Sequence, residues 1–439
     1  MKKYLSIQEL YVLFINCQQK ITTDTRKLEN GSIFFALKGD NFDANEFAEK
    51  AIKGGCAFAI VDNENNASHQ TILLVENVLE SLQELAKYHR QQLKCVVIGI
   101  TGSNGKTTNK ELIHAVLSKK YNTYATKGNL NNHIGVPLTL LSITSEHQMA
   151  IIEMGANHQG EIEMLSNISD PDYGIITNIG KAHLEGFGGI EGVKKGKSEL
   201  YKHLKKKNRK VFVNGDDEVL VSLSDGLTKV FYGENPDYDI YGRLYSNSEY
   251  VEFKWVEKQA SIDERPLVKT QMFGHYNFIN LLCATTIGHY FGVSDSDINS
   301  ALSSYIPEMN RSQVKKTETN TVILDAYNAN PSSMSLSIEN FEKQALGNKA
   351  LILGDMLELG EYSEAEHKRI LQLVSKYKSQ NVFLVGGIFK TLNSKFSEFH
   401  YFETVTELKH YFIDHPLRYH SILVKGSRGI QLEKVVENL

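Results

Sequence analysis

The sequence predicts an α/β protein of three successive units: a small α/β unit over 1–88, a central unit over 89–306 on a mostly parallel sheet with a β insert, and a third α/β unit over 307–439. Three observations carry this expectation. The 439 residues exceed what one ordinary core holds. Short apolar runs alternate with segments of helical period along most of the chain, the pattern of a parallel sheet covered by helices. One stretch, Cys95 to Leu117, joins an apolar strand, a glycine-containing turn and an amphipathic helix without a break.

In the first unit GSIFFALKG at 31–39 and CAFAIVD at 56–62 read as strands around a helix that starts near Asn45. Its polar elements are TDTR at 23–26, with Thr25 and Arg26, and KGDNFDAN at 38–45, with Lys38 and Asp43. Backbone amides near Thr25, the Arg26 guanidinium and a hydroxyl-accepting Asp43 suit a phosphorylated sugar or a nucleotide.

The central unit opens on the strand of Val96, Val97, Ile98 and Ile100, runs through TGSNGKTT at 101–108, and continues as a helix with Leu112, Ile113, Val116 and Leu117 on one face. Gly102 and Gly105 let the backbone approach an anion, while free N–H groups and the helix dipole favour negative charge there. Gly102, Ser103, Asn104, Gly105, Lys106, Thr107 and Thr108 therefore read as a phosphate cradle. Lys106 is expected to face the surface as a cation awaiting the β- and γ-phosphates, and Thr107 is the natural Mg²⁺ ligand. The loop is shorter than the usual Walker pattern, since Ile100 stands where the first glycine of that pattern falls.

Further along, MAIIEM at 149–154, YGIITNI at 173–179 and KVFVN at 210–214 read as strands, with helices at 160–168 and 192–204 between them. Glu153 and Asn178 end two of those strands, and His183 and Glu185 follow in the next turn, where an open α/β sheet presents its ligands. Glu153 is the better Mg²⁺ ligand of the group, being a carboxylate for a hard cation. Residues 237–273, with the single tryptophan Trp255, read as short antiparallel strands before a helix at 277–291. After the linker SSYIPEMNR, the strands TVILDAY, KALILGD, NVFLVGG and SILVKG alternate with helices around Ser335, Glu366, Leu408 and Lys434, as in a dinucleotide-binding sheet.

Composition excludes several function classes. With 41% hydrophobic and 23% charged residues the chain is an ordinary globular protein, and a formal net charge of −4 leaves no electrostatic footprint for nucleic acid. The basic run Lys205 to Lys210 reads as a solvated helix end. Cys17, Cys56, Cys95 and Cys283 are far apart and read as reduced structural thiols. No stretch approaches 18 apolar residues and the N-terminus lacks a signal-peptide pattern, so a cytoplasmic protein without membrane insertion is expected. A monomer is expected as well, although no feature of the sequence sets the oligomeric state.

Beyond TDTR and TGSNGKTTNKE, the chain contains ALKGDNFDANEFA, GNLNNHIGVPLTLL, IIEMGANHQGEIEML, ITNIGKAHLEGFGG, GHYNFIN, LDAYNANPSSM, GDMLELGEYSEAEH and LVKGSRG. In this order they resemble the Mur ligases, the ATP-dependent amide ligases of peptidoglycan precursor synthesis, over nearly the whole chain. The resemblance implies an N-terminal UDP-substrate domain, a central ATPase domain and a C-terminal domain that closes on ATP and binds the amine substrate. YNANPSSM with GDMLELG points to the member that adds D-alanyl-D-alanine to UDP-N-acetylmuramoyl-tripeptide through an acyl phosphate.

What the resemblance implies residue by residue is specific. Thr107 and Glu153 would hold Mg²⁺, and His183 a second Mg²⁺ together with a carbamylated Lys197, which on composition alone reads as a solvated lysine. Asn277 and Asn280 would contact adenine, and Arg311 and Asp325 the phosphates and ribose. Asn131, Asn132, Tyr327, Asn328 and Asn330 would meet substrate, with Thr25, Arg26, Lys38 and Asp43 at the UDP end. Lys106, Glu153, His183 and Lys197 form the implied catalytic group. Where the family often has Pro-Gly-Arg, this chain has Met309, Asn310 and Arg311. The rival readings are another Mur ligase that adds a single amino acid, folylpolyglutamate synthase, which lacks the UDP domain, and a P-loop ATPase that only switches shape.

Overall fold

The computed structural model describes residues 4–39, 41–245, 250–308, 310–344, 347–377 and 381–439. The N-terminal unit is a parallel sheet in the order Ile21–Thr22, Ile33–Phe35, Phe58–Val61, Ile72–Leu74, with the small hairpin of Lys38–Gly39 and Phe42–Asp43 beside it. The helix expected near Asn45 begins as a 3₁₀ turn at Ala44–Phe47 and continues as Ala48–Lys53. Several elements were not anticipated, and one of them joins two units. VLESLQELAKYHRQQ forms the helix Val78–Gln92, capped by Asn77 and burying Val78, Leu82, Leu85, Ala86 and His89 at helical spacing. That face packs on the central helices Gly135–Leu141 and Glu161–Ser169, so the expected boundary near 88 falls inside a helix that joins two units.

The central sheet has nine strands in the order Val268–Phe273, Tyr250–Glu257, Ile240–Tyr245, Thr228–Gly233, Lys210–Asn214, Tyr173–Ile176, Val96–Thr101, Met149–Glu153, Thr123–Ala125. Its interior is parallel and helix-covered on both faces, which is why the strand Val96–Thr101 carries apolar side chains on both sides. Val97 points into one core, Ile98 and Ile100 into the other, and all three are fully buried; such burial contributes about 1.5–3 kcal/mol per side chain. The β insert is antiparallel, as expected: its strands Ile240–Tyr245, Tyr250–Glu257 and Val268–Phe273 are antiparallel to one another, and they extend the central sheet through a parallel pairing of Ile240–Tyr245 with Thr228–Gly233. The helix Phe278–Tyr290 then packs on Lys106–Leu117; its apolar residues lie all round because it is enclosed by sheet and helices.

The C-terminal sheet runs Gln313–Lys316, Thr321–Leu324, His420–Lys425, Asn348–Gly354, Asn381–Val385, His400–Phe402, antiparallel only at its first pair. The expected helices stand at Pro331–Gln344, Ser363–Tyr377 and Val405–Asp414, whereas the segment around Lys434 is 3₁₀, Leu432–Asn438. All four cysteines are free and buried. Among the described residues no helix is long and apolar enough to cross a membrane.

Candidate active site

Because the strands ending at Thr101, Glu153 and Ile176 are adjacent and parallel, the segments that follow them emerge on one edge of the sheet. The first is the Thr101–Lys106 turn. A Cβ on Gly102 would stand 1.9 Å from Thr177 Oγ1, so only glycine allows this approach. The loop is held from the neighbouring segment: Ser103 N–H donates to Asn178 O (3.1 Å), Asn104 N–H to Asn178 Oδ1 (3.0 Å), and Thr177 Oγ1 donates to Asn104 O (2.5 Å). Gly105, at φ 77°, opens the helix Lys106–Leu117 with no side-chain cap, so its first N–H groups are left for an anion.

Lys106 corrects the sequence expectation. It is half-buried rather than surface-facing, and its Nζ folds back to donate to Gly102 O (2.7 Å) and Ser103 O (3.3 Å). Burial pushes its amine down to about 8; the Glu153 carboxylate opposes this and the Arg311 cation adds to it.

Glu153 is buried on the next strand end, with Oε1 accepting from Asn131 Nδ2 (2.8 Å) and Oε2 buried without a hydrogen-bond partner. An orphaned carboxylate oxygen beside a phosphate loop fits a hard cation. Thr107, on the first helical turn, is buried and lines the same cavity. His183 sits in the left-handed region at φ 53°, its Nδ1 2.5 Å from Glu358 Oε2 but not aligned for a hydrogen bond. Lys197 is fully buried, which the composition alone did not suggest: Nζ donates to Ala156 O (3.3 Å) and lies 5.1 Å from the Phe187 ring centroid. Desolvation, reinforced by the Lys106 cation and opposed by Glu161 and Glu199, holds its amine well below the usual lysine range. Among the described residues no group of three or more His, Cys, Asp or Glu is placed to hold a metal by itself.

The C-terminal unit covers this edge. Asn330 Nδ2 donates to Asn104 Oδ1 (2.7 Å), Lys181 N–H donates to Ser332 Oγ (3.0 Å), and Lys181 Nζ pairs with Glu366. Arg311 lies 3.8 Å from the Tyr327 ring centroid. Beside it Asn310, at φ 55°, adopts the left-handed turn a glycine would favour; Met309 lies outside the described residues. Asp325 accepts from Lys425 Nζ (2.5 Å), Ser337 Oγ (2.9 Å) and Ser312 N–H (3.3 Å). Burial alone would raise its carboxyl, but the Lys425 ammonium and these bonds hold it below the usual range. Asn277 and Asn280 are joined (Asn280 Nδ2 to Asn277 Oδ1, 2.9 Å), and Asn109 Nδ2 donates to Asn280 Oδ1 (2.8 Å), which ties both to the phosphate-loop helix.

Between the units lies a cavity of about 900 Å³. Lys106, Thr107, Glu153, His183, Asn280, Arg311, Asp325, Tyr327 and Asn330 line it, with Ser103, Asn104, Gly105, Thr108, Asn131, Asn132, Asn277 and Asn328, whereas Gly102 and Lys197 stand behind its wall. The four N-terminal candidates are not among the lining residues. Arg26 is exposed and pairs with Asp24 (2.8 Å), Lys38 pairs with Asp62 (2.8 Å), Asp43 Oδ1 accepts from Asn45 N–H (2.9 Å), and Thr25 is half-buried. The first unit reaches the cavity instead through Asn77, Glu80 and Gln83 of the unanticipated helix, legible in the sequence only as its N-cap and polar face. Lys425 was also missed, although a lysine ending an apolar strand is a signal that was available.

Comparison with known proteins agrees with this geometry. Residues 100–288 match the Mur ligase middle domain and residues 310–428 the Mur ligase, glutamate ligase domain. A UDP-N-acetylmuramoyl-tripeptide–D-alanyl-D-alanine ligase of Bacillus subtilis (strain 168) is 37% identical over 434 residues, covering 95% of this chain and 92% of that protein. The crystal structure of MurF from Acinetobacter baumannii superposes with a TM-score of 0.86 at 32% identity, over 96% of this chain and 93% of that one. MurF ligase from Thermotoga maritima, solved in complex with ADP, gives 0.84 at 25% identity, over 96% and 97%.

Proposed function

The chain belongs to the Mur ligase family, and from that premise we propose that it ligates D-alanyl-D-alanine to UDP-N-acetylmuramoyl-tripeptide, with ATP converted to ADP and phosphate, in cytoplasmic peptidoglycan precursor synthesis. The observation that carries the reading is a single cavity joining the phosphate cradle of Ser103 to Thr108, the orphaned oxygen of Glu153, and Arg311 and Asp325 from the opposing unit. The tripeptide carboxylate attacks the γ-phosphorus, the bond to the ADP oxygen breaks, and an acyl phosphate forms. The dipeptide amine then attacks the acyl carbon, phosphate leaves and the nitrogen loses its proton.

Both partners in the first step are anionic, so positive charge must be in place beforehand. Lys106, the uncapped N–H groups after Gly105, and Arg311 supply it. Asn131 orients Glu153, Asn277 and Asn280 offer amides to the base, and the ionised Asp325 accepts from ribose hydroxyls. The Asn330 to Asn104 contact closes the C-terminal unit over the loop and keeps water from the acyl phosphate.

Mg²⁺, when bound, neutralises phosphate charge. Thr107 and Glu153 would hold one ion, and His183 with a carbamate on Lys197 a second. The buried, neutral-leaning Lys197 amine suits CO₂ addition, which forms an N–C bond and releases one proton. We assign Thr25, Arg26, Lys38 and Asp43 to the UDP end, outside the cavity, so Arg26→Ala should raise KM for the UDP substrate severalfold and leave KM for ATP unchanged. Equal rises would place the N-terminal unit elsewhere in the reaction.

The direct test mixes protein, ATP, Mg²⁺, D-alanyl-D-alanine and UDP-muramoyl-tripeptides with meso-diaminopimelate or lysine at the third position. A product heavier by about 142 Da, the dipeptide residue, is expected, with ADP release that requires both substrates. ADP release with neither would favour a P-loop switch.

A further inference from the structure

A dipeptide that reacts through its amine brings its own carboxylate, at the far end of an extended span of about 7 Å. That anion needs a cation beyond the phosphates. Most cations around the cavity are already engaged: Lys106 on the loop carbonyls, Lys425 on Asp325, and Lys181 on Glu366. Arg311 lies over Tyr327 among the residues expected to meet phosphate.

Arg428 is different. It is exposed, and no carboxylate among the described residues stands within ion-pair distance, yet its guanidinium carbon is 5.2 Å from the centroid of the cavity-lining Tyr327 ring. Its backbone is fixed through Ser427. Ser427 N–H donates to Asp355 O (3.1 Å), Ser427 Oγ accepts from Leu357 N–H (2.9 Å) and donates to Ala329 O (3.3 Å). The segments that follow Thr321–Leu324, Asn348–Gly354 and His420–Lys425, three adjacent parallel strands, are thereby stitched at one point, and Arg428 emerges from the junction. Beside it Leu357 leaves 40% of its surface exposed, lines the cavity, and would meet a Cβ on Gly429 at 2.9 Å.

We infer that Arg428 anchors the carboxylate of the incoming dipeptide, with Leu357 offering apolar surface to its methyl groups; the assignment rests on the ligase reading above. A guanidinium presents paired N–H donors that match a carboxylate, and stacking on Tyr327 limits the freedom it loses on binding.

The test measures product formation by mass with D-alanyl-D-alanine and with its C-terminal amide. Arg428→Gln should raise KM for the dipeptide about 10- to 100-fold, while KM values for ATP and the UDP substrate move less than twofold. The wild type should lose a similar factor with the amide, the Gln variant should lose nothing further, and Arg428→Lys should recover part of the affinity. A wild-type KM for the dipeptide in Arg428→Gln, or an amide penalty equal in both proteins, overturns the anchor. Absence of any dipeptide adduct from the wild type overturns the ligase reading itself, and the anchor with it.

Discussion

Two lysines with opposite surroundings show what single residues contribute. Lys106 lies over its own loop, and burial lowers its amine to about 8, which still leaves it mostly a cation near neutral pH. Lys106→Ala is expected to lower kcat/KM by about 10³-fold or more with an unchanged circular dichroism spectrum; near-normal turnover at saturating ATP would remove the loop from the mechanism. Lys197 is enclosed by Ala156 and Phe187 and shielded from water, which favours the neutral amine. If Lys197 carries the proposed carbamate, Lys197→Ala should abolish ligation yet retain nucleotide binding, and acetate or formate should restore part of the rate by taking the place of that anion. Lys195, exposed two residues earlier on the same helix, is the control, and its Ala variant should match the wild type.

At the scale of elements, the edge that carries the site is braced from the opposite end of the sheet. Asp170 closes the helix Glu161–Ser169 in the left-handed region and collects Lys207 (2.7 Å), Arg209 (2.8 Å) and His203 (3.1 Å), so the basic run is partly ion-paired and not merely solvated. Burial pushes the Asp170 carboxyl up, but hydrogen bonds from Lys207, Arg209 and His203 outweigh it and hold the group well below the usual carboxylate range. A depressed folded value means that this stabilisation is complete above the unfolded pKa, near 4, and is lost as pH falls toward the folded one. Asp170→Asn should therefore cost about 1–2 kcal/mol at pH 7, a Tm loss of about 1–4 °C for a chain of this size, and the gap to wild type should shrink as pH is lowered from 5 to 3. An equal gap at both ends of that range would refute the linkage.

For the whole molecule, the contacts that join the central and C-terminal units include Tyr276 with Ser312, Asn330 on Asn104, Ser332 on Lys181 N–H, and Glu366 on Lys181 Nζ. A partly exposed pair of this kind contributes about 1 kcal/mol. Glu366→Gln should accordingly shift the ensemble toward open forms, visible as a larger radius of gyration in small-angle scattering, and lower kcat/KM about three- to tenfold. Unchanged scattering together with unchanged kinetics would show that this pair does not bias closure.

By itself the sequence determined the alternation of strands and helices, the phosphate loop and part of the cavity lining, because these rest on local periodicity and on short motifs whose chemistry is contiguous. It showed the antiparallel segment around Trp255 but not that this segment continues the central sheet, since strand pairing joins residues distant along the chain. Nor did it register the helix Val78–Gln92 as the bridge between units, although its apolar spacing was present, because only packing decides which surface such a stripe meets. The tertiary structure alone decided the states of the charges. It enclosed Lys197, turned Lys106 onto its loop, left one oxygen of Glu153 without a partner, and gave Asp325 the ammonium of Lys425. Desolvation and pairing are properties of the neighbours a fold brings together, and no residue type carries them in advance.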